Sequence, residues 1–296
     1  VEFKLYDHYA LPHARVIAIE SEREFGLSVM EQLDRELKRR GDLFRELSVQ
    51  NVAGFRQTGH PDPMPRILLL IDEFQEIFVE DDKIAQDAAL ILDRLVRQGR
   101  AFGIHVLLGS QTLGGSYSLP RATMGQMAVR IALQCNEADS SLILSDENTA
   151  ARLLTRPGEA IYNDANGMVE GNNPFQVVFL TDEQREQFLG DLRKLADKRT
   201  DIPHLERIVF DGNQAADPAL NPLLTEMLDK GTVHGQELLA PLAWLGDAIA
   251  IKDPTAAIFR RQGGANMLIA GQREDLGTSL LALSIVSLAA EHDPYP

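Results

Sequence analysis

Ile67-Leu68-Leu69-Leu70-Ile71 is an unbroken apolar run, and it ends on two carboxylates, Asp72 and Glu73. A short run with no apolar/polar alternation reads as a strand covered on both faces, as the strands of a parallel sheet are. Such a strand delivers whatever follows it to one edge of the sheet, and in open α/β sheets ligands bind outside that carboxyl edge. An acidic turn, Glu80-Asp81-Asp82, then precedes a helix expected over residues 84–102. Acids favour a helix N-terminus, so a solvated first turn outweighs a metal site at that turn. A second buried strand is expected over residues 104–110, ending on Gln111. If the two strands are neighbours, the Gln111 amide lies beside Asp72 and Glu73.

The 296-residue chain has room for one or two domains. It carries a net charge of −15, which argues against a broad basic face for nucleic acid. A few basic residues lining a channel would escape that argument. No apolar run reaches the ~18 residues of a membrane span. Residues 1–4 begin inside a strand-like pattern rather than a signal peptide, and the chain reads as a piece of a longer protein. Cys135 is the single cysteine, so no internal disulfide is expected and a reducing compartment suits the chain. It lies in an apolar stretch, where a structural thiol is expected.

Before the central run, residues 1–6 alternate like an edge strand, Leu11-Pro12-His13-Ala14 reads as a turn, and residues 16–19 read as a short buried strand. Ser21-Glu22-Arg23-Glu24 is a capping box, and Phe25, Val29, Leu33 and Leu37 follow at helical spacing. Lys38-Arg39-Arg40 is expected near the helix end, where cations suit the dipole. Residues 41–60 are expected to form a further helix and loop, and the Pro-rich residues 60–65 an exposed rigid connector. Arg94, Arg97 and Arg100 share one helix side, which fits either an ion-paired face or a subunit interface. Arg130 sits in an apolar strand expected over residues 128–134, and it needs a partner there, a structural carboxylate or a phosphate. Arg156-Pro157-Gly158 punctuates the entry to another strand, and residues 176–180 are expected to form the last strand of this sheet. Thr181-Asp182-Glu183-Gln184 is a second capping box, opening a helix to about residue 198. Residues 200–243 read as a connector wrapping the first module. Residues 244–252 read as entry to another, with Trp244 a core anchor.

The ordered set "LLLIDEF", "RLVRQGRAFGIHVLLGSQTLGG", "VRIALQCNEADSSLIL" and "RPGEAIY", with "LPHARVIAI" and "ELKRRGDLFRE" upstream, resembles the FtsK/SpoIIIE branch of RecA-like motor ATPases over about residues 1–180. The resemblance implies an α/β fold: a RecA-like P-loop NTPase core with a mostly parallel sheet flanked by helices. It implies ATP and Mg²⁺ as cofactors. Asp72 would hold the metal through water, Glu73 would orient or deprotonate the attacking water, and Gln111 would sense the γ-phosphate. Arg130 is the first candidate for an arginine finger. Ser141 stands where the family's turn carries an arginine. The segment near residues 112–116 would face a channel, and Arg121 is the one base in that loop region. The implied parent is a homo-oligomeric ring, a hexamer, moving double-stranded DNA or a secreted protein, in the bacterial cytoplasm or tethered to the inner face of the membrane through other regions. The phosphate loop of this module is expected upstream of Val1, so these residues by themselves should hydrolyse ATP poorly or not at all.

A second phosphate-loop context, strand, Gly-rich turn and helix, falls on residues 266–281. Its chemistry fails. Gly271 and Gly277 are separated by five residues where four are required, and Thr278, followed by Ser279, occupies the place of the phosphate-binding lysine. Glu274 and Asp275 would face the phosphates, at about 1–4 kcal/mol for each like-charge contact near ~4 Å. The organisation expected is therefore an ATPase core over 1–180, a helix and connector over 181–243, and the start of a second, degenerate module over 244–296. DNA translocation is the family default. The tandem layout and acidic charge point toward a type VII secretion motor of the EccC kind. A non-hydrolysing regulatory module and a conjugative coupling-type ATPase are the other readings.

Overall fold

The computed structural model describes residues 11, 13–19, 23–114, 121–199, 208–211, 215–233 and 235–291. The expected strand over 1–6 and the first capping-box residues lie outside that set. The chain divides into two compact units, Val1–Phe210 and Asp211–Pro296. The division falls at residue 210 rather than at 180 and 243.

In the first unit, β1 (Val16–Ile19) leads into α1 (Arg23–Glu46) and α2 (Val52–Gln57). The motif strand β2 (Ile67–Ile71) and a 3-10 turn (Phe74–Phe78) are followed by α3 (Lys83–Gln98) and β3 (Ile104–Leu108). Then come α4 (Arg121–Met124), β4 (Arg130–Leu133), α5 (Glu137–Ile143), β5 (Glu159–Asn163), β6 (Asn172–Gln176), α6 (Asp182–Asp197) and β7 (Ile208–Asp211). β2 and β3 pair in parallel, Ile67 against Ile104 through Ile71 against Leu108. β4, β5 and β6 form an antiparallel sheet, and β7 pairs with β1. The parallel geometry expected of the motif strand thus holds where the acids are.

Four expectations change. β2 is covered on one face: Leu69 is buried against Leu92, Leu95 and Ile104, whereas Leu68, Leu70 and Leu107 on the opposite face are at least half exposed. An all-apolar run does not say how many layers lie over it. Helix α1 continues past Lys38-Arg39-Arg40 to Glu46. Arg40 does not soothe a helix end; it is buried, donates to Glu36 at 2.7 Å and to the Phe102 carbonyl at 2.7 Å, and so ties α1 to the turn before β3. The Pro-rich connector is anchored rather than exposed throughout, because Met64 is fully buried with Phe44, Val52 and Phe55. The last strand is β6, and residues 177–180 are exposed coil. Pro174 is tolerated there because β6 is an edge strand.

Helix α3 lies between the two motif strands in sequence, and its geometry controls them. Asp82 caps it by accepting from the Ala85 amide at 3.0 Å, as the acidic turn led one to expect. Arg23 clamps the same carboxylate and donates to the Ile77 carbonyl at 2.9 Å; its guanidinium holds the Asp82 carboxyl below the usual carboxylate range. Arg94 makes a two-pronged bond to buried Asp34 of α1, at 2.8 and 3.1 Å, and Arg97 pairs with Asp93. Two of the three aligned arginines are thus committed within the chain.

In the second unit, α7 (Pro222–Lys230), the short strands β8 (Thr232–Val233) and β9 (Gln236–Glu237), the hairpin β10 (Leu242–Gly246) with β11 (Thr255–Ile258), and α8 (Glu274–Ala290) surround Trp244. Leu223, Leu224 and Met227 of α7 pack on that buried indole. The section expected to wrap the first module instead supplies the core of the second unit. Residues 266–270 form no strand. No helix among the described residues is long and apolar enough to cross a membrane.

Replacing Arg40 by Leu leaves the Phe102 carbonyl without its donor and removes one of two bases from Glu36. The expected loss is about 2–4 kcal/mol, seen as a lower Tm. Burial of Glu36 opposes its ionisation, but bonds from Arg39 and Arg40 outweigh it, and its pKa is lowered. A lowered carboxylate contributes stability above its unfolded pKa (~4.3) and loses it as pH falls through the lower folded value. Acid titration of unfolding should therefore show a shallower loss below about pH 4.3 in the variant than in the parent.

Candidate functional site

The site is built by the parallel register of β2 and β3. Both strands stop together, Ile71 opposite Leu108. The pairing runs on past them: Gly109 donates to the Ile71 carbonyl at 2.8 Å, and Phe74 donates to the Gly109 carbonyl at 3.1 Å. Asp72 and Glu73 are thus pinned on both sides of the strand tip. Asp72 is exposed and Glu73 half-buried, open to a ligand rather than enclosed.

Gly109 makes room for Asp72. A Cβ at that position would lie 2.6 Å from Asp72 Oδ1. A hard carboxylate oxygen at an exposed strand end suits a Mg²⁺ ion held through water. Among the described residues no group of three or more His, Cys, Asp or Glu forms a metal cage. A nucleotide-bound Mg²⁺ needs none, because phosphates and water fill most of its shell.

Glu73 adopts a left-handed backbone, φ 51° and ψ 42°. For a residue with a Cβ this costs on the order of 1–2 kcal/mol, and such strain clusters at active sites. The conformation turns the chain out of β2 into the 3-10 turn, whose Phe74, Ile77 and Phe78 anchor it in the core.

Gln111 occupies an exposed bend after β3. The bend is fixed from behind. Thr112 donates its hydroxyl to Asp139 at 3.1 Å, and the Leu113 amide donates to the same carboxylate at 2.8 Å. Asn136 holds Asp139 in turn, donating from its side-chain amide at 2.7 Å and accepting the Asp139 amide at 2.8 Å. Asp139 lies two residues before Ser141, and nothing local in the sequence reveals that it braces a loop 26 residues upstream. Neighbouring Cys135 is half-buried, and burial together with Asp139 pushes its thiol pKa up, so it suits packing rather than nucleophilic attack.

Arg130 is held by backbone carbonyls rather than by a carboxylate among the described residues. Its guanidinium donates to the carbonyls of Met124, Met127, Ile143 and Leu144. Four backbone oxygens occupy it within the fold, and the structure gives it the work of joining β4 to the end of α5. In the second unit, Gly277, Thr278 and Ser279 lie inside α8, not in a loop before it. The hydroxyls of Thr278 and Ser279 bond back to the carbonyls of Glu274 and Asp275, each at 2.9 Å. Gly271 is exposed, and Arg273 is paired with Asp275 at 2.6 Å. The two hydroxyls are thus spent on helix carbonyls, and no lysine stands beside them.

The fold is α/β and RecA-like, with the acids at the tip of its parallel strand pair. No model of a protein family matches the chain. The DNA translocase FtsK of Streptococcus pneumoniae is 25% identical over 236 residues, which is 74% of this chain and 29% of that protein. The ESX secretion system protein EccC of Geobacillus thermodenitrificans is 26% identical over 166 residues, 54% of this chain and 11% of that one. Among solved structures, the cytoplasmic domain of the type VII secretion ATPase EccC of Thermomonospora curvata matches with a TM-score of 0.56 and 23% identity, over 90% of this chain and 31% of that chain. EssC (ATPases 2 and 3) from Geobacillus thermodenitrificans gives 0.54 and 16%, over 98% and 52%. The pCW3 conjugation coupling protein TcpA with ATPγS gives 0.52 and 20%, over 62% and 57%. The chain is thus similar to the FtsK/SpoIIIE-type motor ATPases, in sequence to FtsK and EccC and in fold to EccC, EssC and TcpA. It spans less than a third of the length of these two curated relatives.

Gly109→Ala should keep the strand pairing and displace the Asp72 carboxylate. The expected cost is about 1–3 kcal/mol in a thermal or denaturant melt. A crystal structure of the variant with Asp72 unmoved would contradict the packing described.

Proposed function

We propose that the first unit carries the hydrolytic edge of an ATP-driven translocase motor. The observation that supports this most is the exposed tip of β2, where Asp72 and Glu73 stand beside the end of β3 and the bend bearing Gln111. In this reading Asp72 holds Mg²⁺ through water, and the ion, when bound, neutralises charge on the β- and γ-phosphates. Glu73 orients a water and accepts its proton as the oxygen attacks the γ-phosphorus. The bond from that phosphorus to the β–γ bridging oxygen breaks, releasing ADP and phosphate. Gln111 donates to a γ-phosphate oxygen and reports its loss to the bend. Arg130 is left out of this set because its donors are spent on carbonyls. The turn at Gly271 is left out as well, since it lacks the lysine.

The intact protein in this reading is a homo-oligomeric ring, a hexamer, in the bacterial cytoplasm or held at the inner face of the membrane by other regions. The cargo is a polymer. Double-stranded DNA follows from the relatives named DNA translocase. A second reading, a secretion motor, is favoured by a specific observation: the likeness to EccC and EssC runs over 90% and 98% of the chain, through both units. The net charge of −15 agrees with it.

Glu73→Gln in the full-length protein should lower ATP turnover by about 10²- to 10⁴-fold with nucleotide binding retained. Unchanged turnover in a steady-state ATPase assay removes Glu73 from the chemistry. Affinity of the same protein for duplex DNA, measured against salt, separates the cargoes. A DNA motor neutralising several phosphates loses affinity steeply, with a log–log slope near −0.9 per phosphate contact. No salt-dependent binding favours the secretion motor.

A further inference from the structure

Glu73 is held at its carboxylate as well as at its backbone. The side-chain amide of Gln75 donates to Glu73 Oε2, and Gln75 Oε1 accepts the Ser110 hydroxyl at 2.6 Å. The same hydroxyl is shared with the Thr112 carbonyl. The sense of the amide is fixed by chemistry. A carboxylate only accepts, so the NH₂ of Gln75 faces Glu73 and its oxygen faces Ser110. Ser110 and Thr112 flank Gln111, and Thr112 is fastened to Asp139. A continuous chain of bonds therefore runs from the Glu73 carboxylate through Gln75 and Ser110 to the bend that carries Gln111.

We propose that Gln75 is the positioning residue for Glu73, resting on the assignment of Glu73 as the base for water attack. A glutamate has three side-chain torsions, and Glu73 starts from a strained left-handed backbone. Without an outside restraint its carboxylate would sample many directions, and catalysis needs one. Gln75 supplies that restraint from the 3-10 turn, whose apolar residues are anchored in the core. It also makes the base and the Gln111 bend a single mechanical unit, so that a change at the bend reaches the carboxylate through two hydrogen bonds.

The test uses the full-length protein, with kcat, KM for ATP and Tm measured for each variant. Gln75→Leu keeps the bulk and removes both bonds; kcat should fall by about tenfold with KM changed by less than about twofold. Gln75→Glu keeps the acceptor for Ser110 but sets a second carboxylate against Glu73, and kcat should fall further. It carries the test if the leucine variant folds poorly. In a Glu73→Gln background, Gln75→Leu should cause no additional loss, because a positioning residue has nothing left to position. The proposal is overturned if Glu73→Gln abolishes turnover while Gln75→Leu and Gln75→Glu leave kcat unchanged or raised. It is equally overturned if Gln75→Leu costs as much with Glu73 absent as with it present. If Glu73→Gln itself leaves turnover intact, the hydrolytic reading fails first, and that result is distinct from either of these.

Discussion

Parallel, in-register pairing of β2 with β3 is the constraint on which the rest depends. Neither strand carries a functional side chain within its length. Their contribution is to end together, so that the groups placed after each are brought to one edge. Parallel neighbours require a crossover, and α3 supplies it. The bonds that fix α3, Asp82 to its first turn, Arg23 to Asp82 and Arg94 to Asp34, therefore act on the site at a distance. A slip of one residue between β2 and β3 would turn Leu69 or Ile104, whichever strand moved, out of the core and part the acids from the bend.

Around that edge the chain builds in two layers. Backbone bonds from Gly109 and Phe74 set where Asp72 and Glu73 stand, and side-chain bonds through Gln75, Ser110 and Asp139 set how the edge is held. The second layer draws on the antiparallel half of the unit, because Asp139 stands in α5, just after β4. Arg130, at the start of β4, ties that half together through carbonyls. Its desolvation lowers its pKa, but an arginine remains charged, and four oxygens satisfy most of its donors.

The edge was legible in the sequence because apolar runs and acids at a strand end are local signals. The helix between the strands, its acidic cap and the Pro-Gly turn before β5 were legible for the same reason. What escaped depended on partners distant in the chain. Nothing in "LLLIDEF" tells how many layers cover the strand. Lys38-Arg39-Arg40 looks like a helix end until Phe102 is seen to accept from Arg40. The apolar residues 177–180 outweighed Asn172-Asn173-Pro174, although an edge position lets a proline-bearing segment take the strand. Gln75 and Ser110 are ordinary polar residues, and only the folded register makes them meet.

The backbone at Glu73 has an evolutionary consequence. Glycine reaches φ near +51° without strain, so selection for folding alone should enrich glycine at this position. Glycine brings no carboxylate. On the role proposed for Glu73, stability and chemistry pull position 73 in opposite directions, and the identity found there in any descendant of this sequence records which of the two was selected.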